Sequence, residues 1–319
     1  MVALTMSNWT EADIPDLTGK TIVVTGANSG IGYEAARALA QKNASVVMGC
    51  RNPEKGGAAI EAIRKVKPDA RVELAQLDLA SLASVRSFAE RVAKQHPRID
   101  VLINNAGIMA VPWRATEDGF ESQMGTNHLG HFALTGLLLG RLVEGGHSRV
   151  VSVSSAVHTM AKFGSLDAED LRFEHGYSKW VAYGRSKMAN LLFTYELERR
   201  LERHKLAVAA VACHPGYAAT NLQSVGPEMS GSVIEKAIMS FGNAVFAQHQ
   251  RDGALPTLYA ATSPDVRGGD FVGPSKMRNM FGAPKKQRSN RMSHDETLAK
   301  KLWDTSVQLT GVNFGPLAS

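Results

Sequence analysis

Cysteine is nearly absent from this chain, since only Cys50 and Cys213 occur among its 319 residues. Two cysteines do not form the disulfide framework of a small secreted domain, so a reducing compartment is the default expectation. A secretory leader is not recognisable either, because Asn8, Glu11 and Asp13 interrupt any apolar core near the N-terminus. We therefore expect a cytoplasmic protein in which both thiols stay free.

Long apolar runs and a strong charge excess are lacking too. The longest strongly apolar run, residues 133–139, is far shorter than the roughly 20 residues that a membrane-spanning helix needs. We therefore expect no integral membrane segment. The net charge of +6 suits an anionic ligand. Basic residues cluster near the C-terminus, at Lys276, Arg278, Lys285, Lys286, Arg288 and Arg291. No nucleic-acid recognition motif accompanies them, so we interpret the cluster as solvated surface and expect no nucleic-acid partner.

A glycine-rich turn is the first positive signal. Residues 20–25 form a β-branched strand pattern, and a helical pattern covers residues 31–42. Between them, glycines in a G-x-x-x-G-x-G arrangement let the backbone bend and let a pyrophosphate approach the N–H groups of the helix N-terminus. An ordinary strand-to-helix turn is the alternative. The residues that we assign to a dinucleotide site here are Gly26, Asn28, Ser29, Gly30, Ile31 and Gly32.

The second predicted strand, residues 44–50, ends in Arg51-Asn52. A site for NAD(H) usually carries an acidic residue here to bind the ribose 2′-hydroxyl, and none occurs before Glu54. The guanidinium of Arg51 instead suits a 2′-phosphate. The pattern therefore favours NADP(H) over NAD(H) as the cofactor, although Arg51 is also compatible with a solvated loop.

The ends of the third and fourth predicted strands add further candidates. Asp78-Leu79 follows the third strand, residues 71–77, where Asp78 would accept from an adenine amine or cap the next helix, 81–95. The fourth strand, 99–103, leads into Asn104 and then into small residues that let a backbone lie against a cofactor. A simple turn is again the alternative. The cofactor candidates in this turn are Asn105, Ala106 and Gly107.

Tyr183 and Lys187 lie four residues apart in a helical pattern, so they share one helix face. A nearby ammonium group lowers the pKa of a phenol, which normally titrates near about 10. The pair is therefore a candidate general acid/base. A helix with both residues on its solvated face is the alternative.

The order of these motifs resembles the short-chain dehydrogenase/reductase family over about residues 17–274. Within the family it looks most like the branch with retinol dehydrogenases, WW-domain oxidoreductases and protochlorophyllide reductases. The resemblance implies one Rossmann-type doubly wound α/β domain. Its parallel seven-stranded sheet would have the order 3-2-1-4-5-6-7, with helices on both faces. It also implies NAD(P)-dependent hydride transfer, with Tyr183 as the general acid/base and Lys187 bound to the nicotinamide ribose.

The same resemblance implies several further site residues. Asn127, in a predicted helix over 117–142, would hold a water that connects Lys187 to solvent. Ser155, at the end of a strand over 149–155, would hold the substrate oxygen, while Ser154 would point to the opposite face. The turn after strand 207–213 would close on the nicotinamide through Pro215, Gly216 and Thr220. His128 and His131 lack the further ligands of a metal site, and none is expected.

The substrate region is predicted from apolar composition. Ser155 and Tyr183 are 28 positions apart, and the insertion between them, about residues 158–179, would form a wall or lid. An apolar cover segment, 221–250, implies a lipophilic carbonyl or alcohol. We expect an N-terminal extension (1–16), the oxidoreductase domain (17–275) and a C-terminal extension (276–319) with a final helix. The resemblance makes a homodimer possible. A catalytically silent NADP(H)-binding interaction or sensor protein is the alternative function.

Overall fold

The computed structural model describes residues 9–163, 168–173, 176–216, 249–277 and 279–317. Thr220 and nearly all of the predicted cover segment 221–250 therefore lie outside the described residues.

A single eight-stranded sheet organises the chain, with the strand order β3-β2-β1-β4-β5-β6-β7-β8. Its strands are β1 (Thr21–Thr25), β2 (Ser45–Cys50), β3 (Val72–Gln76), β4 (Val101–Asn104), β5 (Ser148–Val153), β6 (Val208–Cys213), β7 (Phe271–Lys276) and β8 (Phe281–Gln287). The first seven pair in parallel, which confirms the predicted order. The eighth strand was not predicted and pairs antiparallel with β7 at the sheet edge.

Helices cover both faces of this sheet, which is why its central strands are apolar at nearly every position. They are α1 (Gly30–Gln41), α2 (Pro53–Val66), α3 (Leu82–Gln95), α4 (Ser122–Met124), α5 (Gly130–Gly145), α6 (Ala168–Arg172), α7 (Lys179–Arg203), α8 (Gln250–Thr262) and α9 (Glu296–Thr310). One buried apolar cluster joins α1 and α8 to the sheet, and another joins α3, α5 and α7 to its opposite face. No helix among the described residues combines the length and apolar character needed to cross a membrane.

The helix predicted over 117–142 begins later than expected. The Glu121 carboxylate accepts hydrogen bonds from the N–H groups of Gln123 and Met124, so it caps α4 and residues 117–121 stay outside the helix. A π-helical turn, Gly125–Leu129, then joins α4 to α5. Such turns are frequent at functional sites, and this one contains Asn127.

The final helix α9 packs against α7 and α5. Its Trp303 meets Phe314 with ring centroids 4.5 Å apart, Phe132 at 5.1 Å and Phe193 at 5.9 Å. A face that α5 and α7 share is therefore covered by the protein's own chain. Homodimer formation stays a prediction.

Both cysteines are free, as predicted. Cys50 ends β2 and Cys213 ends β6, with three strands of the sheet between β2 and β6.

Candidate active site

A cleft of about 1310 Å³ lies along the carboxyl ends of the strands, where open α/β sheets bind ligands. It extends from the glycine turn to Tyr183. The predicted residues that line it are Gly26, Asn28, Ser29, Gly30, Ile31, Gly32, Arg51, Asn52, Asp78, Leu79, Asn105, Ala106, Gly107, Ser155, Tyr183, Lys187, Pro215 and Gly216. Of the predicted site residues that the structure describes, only Asn127 lies behind this lining.

The glycine turn between β1 and α1 requires its glycines. Gly26 and Gly30 have φ values of +67° and +59°, a left-handed backbone that favours glycine. A Cβ atom on Gly32 would overlap the carbonyl oxygen of Gly26 and the side chain of Asn105. Ser29 makes no side-chain hydrogen bond to the α1 N-terminus, so the first N–H groups of this helix are left for an anionic ligand. The turn therefore fits a pyrophosphate.

Thr25 ties the turn after β4 to the glycine turn. Its hydroxyl oxygen accepts hydrogen bonds from the N–H groups of Asn105, at 2.9 Å, and Ala106, at 3.0 Å. The Asn105 amide donates back to the Thr25 carbonyl at 2.8 Å, and the His131 Nε2 atom lies 2.9 Å from the Thr25 hydroxyl. His131 is therefore a support of this turn. The His128 Nε2 atom lies 2.9 Å from the Ser306 hydroxyl instead, so the two histidine rings have different partners.

Two cationic side chains lie in the cleft beyond the end of β2. Arg51 and Lys55 both line it, and neither makes an ion pair with any residue that the structure describes. Asn52 caps α2 by accepting from the Lys55 N–H at 2.9 Å. Asp78 accepts from the Ala80 N–H at 2.9 Å, whereas Ser81 caps α3. Ser81 therefore caps α3 in place of Asp78, and the adenine contact of Asp78 stays a prediction.

Tyr183 lies at the opposite end of the cleft and is only 4% exposed. Burial raises the pKa of its phenol to about 12, and a hydrogen bond with the Ser155 hydroxyl lowers that pKa in part. Ser155 lies two residues after Val153, where β5 ends earlier than the predicted 149–155, and it is the N-cap of a 3-10 turn, Ala156–Met160. The Ser154 hydroxyl turns away and donates to the Lys187 carbonyl at 2.8 Å. As predicted, only one of the two serines faces the phenol.

The Lys187 ammonium donates to the Val153 carbonyl at 3.0 Å and lies 5.8 Å from the centroid of the Tyr183 ring. Burial lowers the pKa of Lys187 to about 8. The Tyr183 pKa is raised rather than lowered as expected, because desolvation of the phenol outweighs the hydrogen bond with Ser155. A side chain four residues away in sequence shares the helix face, but here its charge is held by a strand carbonyl.

Asn127 is fully buried in the π-helical turn. Its Oδ1 accepts from the Ile108 N–H at 2.8 Å, and its Nδ2 donates to the Ile108 carbonyl and to the Ser186 hydroxyl, each at 2.9 Å. The side chain therefore joins the loop after β4 to α7, the helix that carries Tyr183 and Lys187. Its water-holding role stays a prediction.

The turn after β6 reaches the cleft through Pro215 and Gly216. Gly216 has a φ value of +71°, and its N–H donates to the His214 Nδ1 atom at 3.2 Å. The neighbouring candidate Thr220 lies outside the described residues.

Known proteins share this arrangement. Residues 20–166 match the family model described as short chain dehydrogenase. Retinol dehydrogenase 14 of Mus musculus is 40% identical over 306 residues, which is 92% of this chain and 86% of that protein. Retinol dehydrogenase 13 of Homo sapiens is 39% identical over 307 residues, covering 95% and 87%. The chain belongs to the short-chain dehydrogenase family. These relatives confirm the predicted branch with the retinol dehydrogenases, and the chain is an NAD(P)-dependent oxidoreductase of alcohol or carbonyl groups.

A solved structure agrees over nearly the whole length of this short-chain dehydrogenase. An uncharacterized protein from Mycobacterium paratuberculosis is 44% identical, with a TM-score of 0.79, and the match covers 97% of this chain and 99% of that one. The family therefore accounts for the fold from the N-terminal residues through the C-terminal helix.

Several lining residues of this short-chain dehydrogenase escaped the sequence analysis. They are Tyr33, Lys55, Met109, Thr126, Val157 and Met280. Lys55 could have been found, because it lies one helical turn after Arg51 in a segment predicted to be helical. Trp180 adjoins the insertion that was predicted to form a wall or lid, and it lines the cleft, where its ring meets that of Tyr183 edge to face at 6.4 Å. Gln250 is the last residue of the predicted cover segment 221–250, whereas Met280 gave no local signal.

Proposed function

We propose that this protein is an NADP(H)-dependent reductase or dehydrogenase of a lipophilic carbonyl/alcohol pair. The observation that carries the proposal is a cleft lined by both Ser155, Tyr183 and Lys187 and the glycine turn, together with Arg51 and Lys55, which pair with no described carboxylate. A dinucleotide bound along the whole cleft would have its nicotinamide ring beside the Tyr183 phenol.

The cofactor would be held by the chain's own turns. The α1 N-terminus and the glycine turn suit the pyrophosphate, while Asn105, Ala106 and Gly107 offer a flat surface of small residues. A Cβ atom on Gly107 would come within 3.0 Å of the Asn127 Oδ1 atom, so this position leaves no room for a larger residue. When bound, the nicotinamide supplies or accepts the hydride.

The proton would be handled by Tyr183. A phenol with a pKa near about 12 is protonated at neutral pH, so it suits donation to the oxygen of a carbonyl that receives hydride. The Ser155 hydroxyl, hydrogen-bonded to the phenol, would hold that oxygen in place. In the oxidative direction only the phenolate form of Tyr183 could take the alcohol proton, and the raised pKa makes that form a minor one at neutral pH.

The substrate's apolar body would lie against Ala156, Val157 and Trp180, which we call the substrate wall. Met109 and Met280 also line the cleft and add flexible apolar side chains to its surface. Flexible methionines tolerate substrates of varied shape. A retinoid, as the relatives' names suggest, or another lipophilic aldehyde or ketone fits these features.

The test is a spectrophotometric screen of NADPH oxidation and NADP⁺ reduction with lipophilic aldehydes, ketones and alcohols. We expect turnover that Tyr183→Phe abolishes while cofactor binding persists. Binding of NADPH without turnover of any compound would favour the silent interaction or sensor protein. Near-normal kcat in Tyr183→Phe would refute the role of the phenol.

A further inference from the structure

A second histidine, His158, lies directly behind Ser155. Its ring is 5% exposed, and its Nδ1 atom lies 2.6 Å from the Ser155 carbonyl oxygen. The His158 backbone N–H donates to the same oxygen at 3.1 Å. The carbonyl of Ser155 is thus held by two bonds from one residue.

The other ring nitrogen faces the C-terminal segment 288–294. The backbone N–H of Asn290 donates to the His158 Nε2 atom at 3.2 Å. A carbonyl oxygen only accepts and a backbone N–H only donates, so these two partners require a neutral ring with its proton on Nδ1. With the proton on Nε2, the ring N–H and the Asn290 N–H would face each other without an acceptor between them.

The C-terminal segment is itself anchored on the helix that carries Tyr183. The Tyr195 hydroxyl lies 2.7 Å from the Ser289 hydroxyl, and the Tyr195 ring stacks on His294 with centroids 4.6 Å apart. Ser293 donates to the Asn290 carbonyl at 2.5 Å. One chain of contacts therefore runs from α7 through residues 289–294 and the imidazole to Ser155.

We propose that His158 is a positioning residue that fixes the peptide plane of Ser155 against the C-terminal segment 288–294. The ring holds the carbonyl of Ser155 on one side of the chain, so that the hydroxyl faces Tyr183 on the other. The proposal rests on the proposed function of Ser155. It gives β8 and the turn after it a part in the reaction, although no residue of segment 288–294 lines the cleft.

Two substitutions of His158 test the contributions of its two ring nitrogens separately. His158→Asn retains a donor where Nδ1 stands, whereas His158→Gln retains an acceptor where Nε2 stands. We expect His158→Gln to lower kcat about tenfold to a hundredfold at unchanged KM for NADPH, and His158→Asn to lower it only by the smaller factor that loss of the Asn290 contact causes. Equal losses in both variants would overturn the proposal.

A double-variant cycle separates positioning from a merely structural role. In a Ser155→Ala background, His158→Gln should lower kcat no further, because the hydroxyl that it positions is already gone. A full additional loss in that background would overturn the proposal. Thermal unfolding of each variant identifies losses that come from unfolding alone.

The C-terminal contact has its own matched pair. Asn290 has a φ of −59°, which proline adopts, so Asn290→Pro removes the backbone donor without changing the chain direction. Asn290→Ala keeps that donor but, like the proline variant, loses the side-chain cap on Met292. We expect a lower kcat for Asn290→Pro than for Asn290→Ala, and equal values would overturn the link to segment 288–294.

The ring tautomer gives a readout without turnover. Nitrogen-15 imidazole spectra at pH 7, assigned by difference from His158→Gln, should report a proton on Nδ1 and a lone pair on Nε2. The opposite tautomer would overturn the proposal. Lack of turnover in the wild-type protein, with the expected tautomer present, would instead refute the proposed function.

Discussion

The guanidinium carbon of Arg185 lies 4.2 Å from the centroid of the Phe173 ring. Phe163 approaches the same guanidinium at 5.3 Å, and the Asp170 carboxylate accepts from it at 2.6 Å. All three partners belong to the insertion between Ser155 and the catalytic helix or to its edge. Arg185, which stands between Tyr183 and Lys187 in sequence, therefore fastens the insertion to the helix that carries the phenol.

The first prediction concerns this contact. Arg185→Lys keeps the charge but loses the planar group that stacks on two rings and pairs with Asp170. We expect KM for bulky lipophilic substrates to rise several-fold, while kcat for a small aldehyde changes little. Steady-state kinetics with substrates of increasing size measure the difference.

Arg200→Lys is the matched control. Arg200 lies on the same helix, stacks on Trp303 at 4.3 Å and pairs with Glu196 at 2.7 Å, so these partners lie on α9 and α7 and not in the insertion. Both variants should lose similar stability, about 0.5–2 kcal/mol. An equal rise of KM in both would mean that the insertion does not shape the substrate site.

The second prediction concerns cofactor choice. If Arg51 and Lys55 bind a 2′-phosphate, replacing both by alanine should raise KM for NADPH about tenfold to a hundredfold and leave KM for NADH nearly unchanged. Lys65→Ala, in the last turn of the same helix, controls for the loss of positive charge. Parallel increases for both cofactors would contradict the assignment.

Local patterns were enough to predict the seven parallel strands, because buried parallel strands are continuous β-branched runs. The eighth strand was missed because Gly282, Pro284 and Lys285 are typical of a protected sheet edge rather than of a buried strand. The glycine turn, Ser155 and Tyr183 were predictable because their spacing repeats across a family. The placement of Lys187 on the Val153 carbonyl was not, since that contact depends on how a helix packs on a strand far away in sequence.

The third prediction concerns the C-terminal helix. Trp303 is 5% exposed within a cluster of aromatic rings, so Trp303→Ala leaves a large cavity. We expect the free energy of unfolding to fall by about 3–5 kcal/mol. Trp180→Ala is the control: Trp180 is 36% exposed and lines the cleft, so its loss should impair activity more than stability. Urea unfolding followed by circular dichroism compares the two, and a larger stability loss in Trp180→Ala would contradict the assigned packing.

The fourth prediction concerns acid. Burial lowers the pKa of His128 to about 3 and that of His131 to about 4, against an ordinary value near about 6.5. Above pH 6.5 both rings are neutral in the folded and the unfolded chain, so they give the free energy of unfolding no pH dependence there. As the pH falls from about 6.5 toward 4, only the unfolded chain takes up these protons, and stability falls. His131 alone accounts for a loss on the order of 3 kcal/mol at pH 4.

Two carboxyl groups, Glu121 and Glu198, work in the opposite direction, because burial raises the pKa of each. Burial raises the pKa of Glu198 to about 7, so the folded chain takes up this proton first and gains stability as the pH falls from about 7 to 4.5. The contribution of His128 is therefore obtained by comparing the pH dependence of stability in a variant with that in the wild-type protein. Urea unfolding between pH 7 and pH 5 should give a shallower dependence of stability on pH for His128→Gln than for the wild-type protein, whatever its stability at pH 7. Identical slopes would mean that the pKa of His128 is the same in the folded and the unfolded chain. That result would contradict the burial of this ring, which is 1% exposed.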